Sequence, residues 1–277
     1  EPYWESPKRP STFFEAARHN HYYLYGAGKV FHGRYDYANA LARNLPTAPW
    51  LDLENRPWLW DGFEVMRPEP LAQPFPSNHL KQDTAGKTRS TQFDWGVLPE
   101  EAEDQHPDVV TADAIAQFLK RPPRQPFLCV AGFYKPHLPW YAPKRWFDHY
   151  PLDRLVMPTI KANDLDDVPA IAKHWALSPD DHSILEAAQL TKQAVQAYKA
   201  SISFADEQIG RVLQALWQSP EANNTIAALW SDNGFHLGEK LHWRKFTLWE
   251  EATRVPMIIA DPQGAPYRKR VQVPVSL

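Results

Sequence analysis

Residues 226–230, Ile-Ala-Ala-Leu-Trp, make an apolar run that is long enough for one buried strand and too short for a helix. The run stops at Ser231-Asp232-Asn233-Gly234, which is turn chemistry. A carboxylate and an amide therefore stand side by side where a central strand ends. In open α/β sheets that end of the strands is where ligands gather. Behind it follow His236, Glu239, Lys240, His242, Arg244 and Lys245, a dense polar set, and then a second apolar run over 255–260. Paired oxygen donors suit a hard cation such as Ca²⁺ or Mg²⁺, and the cationic set suits an oxyanion held against it.

The rest of the chain supplies strands and helices in alternation. Thr12-x-x-Glu15 is a capping-box pattern that predicts a short helix over 12–19. Residues 21–27 read as a strand that ends in Gly28-Lys29-Val30-Phe31-His32. The spacing over 107–119 predicts an amphipathic helix, stopped by Pro122-Pro123. Residues 126–133 read as a buried strand that delivers Tyr134-Lys135-Pro136-His137. A short turn is expected at 144–150. A long helical region spans 182–217, capped at Asp180-Asp181, with a break expected near 201–203. Alternation of this kind predicts an α/β fold, a large and mostly parallel mixed sheet flanked by helices. Residues 34–91 and 141–173 are rich in proline and poor in periodicity, and read as long functional loops.

Composition narrows the function classes. The net charge of −3 gives no basic surface for nucleic acid, and no apolar run approaches the length of a membrane span. Proline is abundant at 27 residues, but 12 Trp and 13 Phe are spread among the prolines, so the loops are stiffened rather than disordered. A single cysteine, Cys129, excludes an intrachain disulfide framework. The first residues carry neither an initiator Met nor a signal pattern, and the last stop in a strand-like alternation. A chain incomplete at both ends is expected, forming one partial domain over 1–277.

Three expected strands thus deliver Lys29/His32, Lys135/His137 and Asp232/Asn233, with Lys245 downstream. Taken alone, a lysine after a strand is most often solvated surface, and Asp-Asn-Gly is most often a turn. Together they would place cationic and imidazole groups around one oxygen-ligated metal, a pattern that binds a tetrahedral oxyanion ester.

The string SDNGFHLGEKLHWRKFTLWEEATRVPMII, with GKVFH and KPH upstream, resembles the sulfatase family of the alkaline phosphatase superfamily. Its variants are similar to those of the iduronate-2-sulfatase subgroup. The resemblance continues through FDWGVLPEE, PFLCVAGFYKPHLPWYAPKRWFDHYPL and AYKASISFADEQIGRVLQAL, from about Phe13 to Pro262. It implies that Asp232 and Asn233 are ligands of a Ca²⁺ ion, with Mg²⁺ as the other candidate. It implies that Lys245 grips the sulfate, that His137 hydrogen-bonds the ester and protonates the leaving alcohol, and that Lys29 and His32 support the nucleophile. That nucleophile is a formylglycine made from Cys in a C-x-P-S-R or C-x-A-S-R motif. The implied substrate is a sulfated carbohydrate, the implied partner a formylglycine-generating maturation enzyme, and the implied place an exported or lysosomal one.

The departures matter as well. Cys129 lies within an apolar strand and no such motif follows it, nor is the family's upstream Asp-Asp pair present. Both belong before Glu1, so the 277 residues alone are not expected to be catalytic. Trp140, His242 and Arg244, with Trp243 and Arg67, are candidates for a sugar subsite, against core or loop packing. Two other readings stay open: a phosphodiesterase or phosphonate hydrolase of the same superfamily, and a catalytically incomplete module that only binds sulfated glycan.

Overall fold

A computed structural model of the chain describes residues 12–30, 60–64, 78, 80, 93–264 and 270–275. Helix α1 (Phe13–His19) begins as its sequence demands. Thr12 Oγ1 accepts the Glu15 amide at 3.2 Å, and the Glu15 carboxylate accepts the Thr12 amide at 2.9 Å. Two amides that a helix start leaves open are thereby satisfied. Strand β1 (Tyr23–Gly28) follows. Strand β2 (Gly62–Glu64) pairs parallel with β1, so the stretch 34–91 contains a strand where only loop was expected. Most of that stretch lies outside the described residues.

Next come β3 (Trp95–Leu98), α2 (Pro107–Lys120), β4 (Phe127–Gly132) and β5 (Trp140–Pro143). β4 runs parallel to β1 along its whole length, with Tyr23 opposite Phe127 and Gly28 opposite Gly132. The order of this sheet is β2-β1-β4, and β3 pairs parallel with β5 in a separate two-stranded sheet. Parallel neighbours need a crossover. Helix α2 enters β4 and packs on the sheet through Ile115 and Leu119, against Ala27 and Cys129. Burial pushes the Cys129 thiol up to about 12, so it is an inert core group.

Helices α3 (Asp181–Ala188) and α4 (Thr191–Trp217) form the outer layer. Asp180 caps α3 by accepting the Ser183 amide at 3.2 Å. The break expected near 201–203 falls instead at Gln189, which takes the left-handed conformation at φ 57°, and α4 then runs unbroken for 27 residues. Ser201 stays helical because it belongs, with Ala194, Ala197 and Ala200, to a buried small-residue face of α4. Small side chains there let helices approach closely, and α2 packs along α4. The main core joins Trp95, Leu138, Trp140, Leu185, Val195 and Trp243.

Strand β6 (Ala227–Trp230) differs from expectation. It stands outside the parallel sheet and pairs antiparallel with β9 (Met257–Ala260) in a two-stranded ribbon. Ala227 reaches the α2 layer and Phe13 meets Trp230 edge-on at 6.4 Å, but Leu229, Met257, Ile258 and Ile259 face outward. Between the two strands lies a hairpin of β7 (His236–Leu237) and β8 (Trp243–Arg244). The fold is α/β, with parallel strand pairs flanked by helices. Among the described residues no helix is long and apolar enough to cross a membrane.

Candidate active site

The exits of β1 and β4 touch. Gly28 has φ +76°, and a Cβ there would lie 2.2 Å from the Gly132 carbonyl oxygen and 2.4 Å from Thr111 Oγ1. A Cβ on Gly132 would lie 2.1 Å from the Lys29 carbonyl. Only glycine fits at either place. The Lys29 amide then donates to the Gly132 carbonyl at 2.7 Å, which extends the ladder by one bond and holds Lys29 beside the turn that leaves β4.

That turn carries the imidazole. Lys29 Nζ lies 5.5 Å from the centroid of the Tyr134 ring, and the same ring stacks on His137 at 4.6 Å. The Leu138 carbonyl accepts from Tyr134 Oη at 2.7 Å and meets His137 Nδ1 at 2.5 Å. A carbonyl only accepts, so Nδ1 carries the proton and Nε2 the lone pair. Lys135 Nζ donates to the Pro139 carbonyl and faces the Tyr134 and Tyr141 rings. Beneath the turn, the buried Asp108 carboxylate from the first turn of α2 accepts the Tyr134 amide at 2.6 Å and the Lys135 amide at 2.9 Å.

Burial pushes His137 down to about 4, and the charges of Lys29, Lys245 and Lys135 push the same way against the opposing Leu138 bond. The imidazole is neutral at pH 7 and stands within the field of three ammonium groups. Such a place favours an anion. The structure thus sets Lys29 and His137 against one Tyr134 ring, and the positive charge of Lys245 acts on the same imidazole. His32 lies outside the described residues.

Lys245 leaves β8 in a pinned loop. His236 Nδ1 meets the Glu239 carbonyl at 3.1 Å, and its Nε2 meets Thr247 Oγ1 at 2.8 Å. Thr247 in turn donates its amide to the Lys245 carbonyl at 2.6 Å. Arg244, at φ 88°, grips Asp181 of α3 through Nε at 2.5 Å and Nη2 at 3.2 Å.

Of the candidates for a sugar subsite, three are packed within the fold, the alternative that the sequence left open. Trp140 is fully buried in the main core and its Nε1 donates to the Pro136 carbonyl at 2.9 Å. His242 is 1% exposed, with Nδ1 on the Ala176 carbonyl at 2.7 Å. Arg244 is committed to Asp181. Through Pro136, Ala176 and Asp181 these side chains brace the loops that carry His137 and Lys245, while His242 Nε2 stays buried with no hydrogen-bond partner among the described residues. Trp243 is likewise fully buried, and Arg67 lies outside the described residues.

Asp232 and Asn233 occupy the turn after β6. Asp232 is exposed and Asn233 half-buried. Ser231 Oγ donates to the Asn233 carbonyl at 2.9 Å, and the Gly234 amide donates to the Ala252 carbonyl at 2.8 Å. Their oxygens fit a hard cation in kind, but Ca²⁺ takes 6–8 ligands. Among the described residues no group of three or more His, Cys, Asp or Glu is placed to hold a metal ion, and this turn offers one carboxylate and one amide. Tyr134 and Asp108 were not singled out from sequence. Tyr134 abuts the Lys-Pro-His string, but nothing in the sequence joins Asp108 to a turn 26 residues away.

A family profile described as Sulfatase matches residues 1–277. A sulfatase of Formosa agariphila is 33% identical over 271 residues, covering 95% of this chain and 49% of that protein. Iduronate 2-sulfatase of Homo sapiens is 30% identical over 172 residues, covering 56% of this chain and 30% of that protein. A phosphonate monoester hydrolase from Silicibacter pomeroyi has the same fold, with a TM-score of 0.61 at 17% identity, over 94% of this chain and 54% of its own. The chain spans about half the length of the Formosa relative. Because the profile runs from the first residue to the last, the chain belongs to the sulfatase family.

Proposed function

We propose that the protein is a sulfuric ester hydrolase that acts on a sulfated sugar or polysaccharide, in the manner of the iduronate-2-sulfatase subgroup. The placement of Lys29 and His137 against the Tyr134 ring, where the exits of β1 and β4 meet in a member of the sulfatase family, supports this reading. Lys245 holds a sulfate oxygen and sits in a loop too tightly bonded to drift. Lys29, with His32, supports the nucleophile. His137 faces the ester through Nε2, because Nδ1 is occupied by Leu138. A neutral imidazole cannot protonate a leaving alcohol. It becomes an acid only after the negative charge of the sulfate offsets the lysines around it.

Asp232 and Asn233 would hold part of the shell of a Ca²⁺ ion, or of Mg²⁺. When bound, that ion would polarise the sulfate oxygens, and the family's formylglycine, formed by a maturation enzyme, would supply the attacking hydroxyl. An exported or lysosomal place belongs to the same proposal and rests on the habit of the family.

Turnover of an aryl sulfate by the full chain, set against an aryl phosphonate monoester and a phosphate diester, tests the reading. The sulfate is expected to be preferred. His137→Ala and Lys245→Ala should each lose at least about a hundredfold in kcat with little change in melting temperature. Asp232→Ala should lower the bound metal measured by elemental analysis. Full activity in those variants overturns the assignment. A preference for the phosphorus esters points to the phosphonate hydrolases instead, and sulfated-glycan binding without turnover points to a binding module.

A further inference from the structure

We propose that Asp108 is a positioning residue of the anion site, gripping the backbone of the Tyr134–Pro139 turn and thereby setting the orientation of His137. The proposal rests on the reading of His137 as a site residue. Asp108 is fully buried, yet it is a carboxylate, a group that rarely stays buried unless its oxygens are taken. Here Oδ1 accepts the Tyr134 amide and Oδ2 the Lys135 amide, at 2.6 and 2.9 Å. These are charge-assisted bonds to two successive amides, and together they fix the direction in which the chain leaves β4.

The rest of the turn is built on those two residues. The Tyr134 side chain stacks on His137 and shares the Leu138 carbonyl with it. The Lys135 side chain closes the turn on Pro139. Rotation of the Tyr134–Lys135 peptide would move the ring, the shared carbonyl and the Nδ1 bond together. The tautomer of His137 therefore depends on a carboxylate that never touches it.

The origin of Asp108 adds to the argument. It sits at the start of α2, where His106 Nδ1 accepts the Asp108 amide at 3.1 Å. Thr111 lies three residues on, on the same helical face, and fills the space against Gly28 at the exit of β1. One turn of helix thus meets both strand exits, those that carry Lys29 and His137 to the Tyr134 ring. A neutral side chain would cap either amide, but only a carboxylate presents two acceptors with no donor.

The test uses the full chain with Asp108→Asn and Asp108→Glu. An asparagine offers one acceptor and turns an amide donor toward the second backbone donor. Asp108→Asn is expected to lower kcat about tenfold to a hundredfold while KM changes less than about threefold, the pattern of a displaced group rather than lost binding. Nitrogen NMR of the histidine rings should show His137 as the Nδ1–H tautomer in wild type and as a tautomer mixture in the variant. Asp108→Glu keeps both acceptors on a longer arm and should fall between the two. If Asp108→Asn does not fold, hydrogen exchange in wild type still decides, since the Tyr134 and Lys135 amides must then be strongly protected. A lower melting temperature with kcat and His137 tautomer at wild-type values overturns the proposal, as do unprotected amides. Absence of sulfatase turnover in wild type overturns the functional reading alone, because tautomer and exchange still judge Asp108.

Discussion

Anion binding and protonation of His137 must be coupled, and the size of the coupling follows from the geometry. In the free site the imidazole is held down to about 4 by burial and by Lys29, Lys245 and Lys135. An anion placed about 4 Å from the ring interacts with imidazolium by about 4 kcal/mol at the effective dielectric of a partly buried pair. That is about a thousandfold in affinity, since each 1.4 kcal/mol is about a factor of ten. Linkage makes the effect reciprocal: the anion favours the proton by the factor with which the proton favours the anion. The sign follows directly. Protonation strengthens binding, so sulfate affinity is greatest below about pH 4. Above that it weakens by about tenfold per pH unit until the thousandfold is used up. Inorganic sulfate as a competitive inhibitor of aryl sulfate hydrolysis gives the affinity across pH, and histidine NMR with and without saturating sulfate follows the ring itself. A sulfate affinity flat across this range, or a His137 titration that sulfate leaves in place, would refute the electrostatic argument.

Acid sensitivity of the fold has a separate source in His242, which burial lowers to about 4, with its bond to Ala176 opposing. An unfolded histidine titrates near its ordinary value, so the unfolded chain binds more protons between the two. Stability is then complete above about pH 6.5 and falls by about 3 kcal/mol toward pH 4, and thermal melts of wild type and His242→Gln should show the difference. Trp140→Ala is expected to cost about 3–5 kcal/mol in denaturant unfolding, because the ring is fully buried and its Nε1 holds Pro136. A sugar-binding Trp140 would instead raise KM and leave stability unchanged. Arg244→Ala removes the ion pair to the buried Asp181 carboxylate and should cost about 3 kcal/mol, of which Asp181→Ala in the same chain restores part.

Local chemistry was legible where a few neighbouring residues decide it. Thr12 and Glu15 announce the start of α1, Asp180 that of α3, and the apolar run around Cys129 announces β4. The strings ending in Lys29 and His137 were legible as strand exits, and the structure puts both residues against the Tyr134 ring. What the sequence hid depends on distant partners. The burial of Trp140, His242 and Arg244 is decided by Pro136, Ala176 and Asp181, none of which marks itself as a partner. The break at Gln189 rather than near Ser201 depends on which face of α4 meets α2, and periodicity alone does not say how closely two helices approach. The outward-facing β6 has the composition of a buried strand, because burial is a property of the neighbours and not of the strand.

The β6–β9 ribbon has a consequence for the chain as a material. Its four paired positions carry Leu229, Trp230, Met257, Ile258 and Ile259 into solvent, with no charge on the paired residues to discourage a further strand. Among the described residues no further strand pairs with β6 or β9, and an apolar strand pair with an open edge is a template that another strand can extend by backbone bonding. At high concentration this ribbon sets where the first contact between molecules forms. A single lysine introduced at Ile259, on that outward surface, is the gatekeeper that would keep such a solution clear.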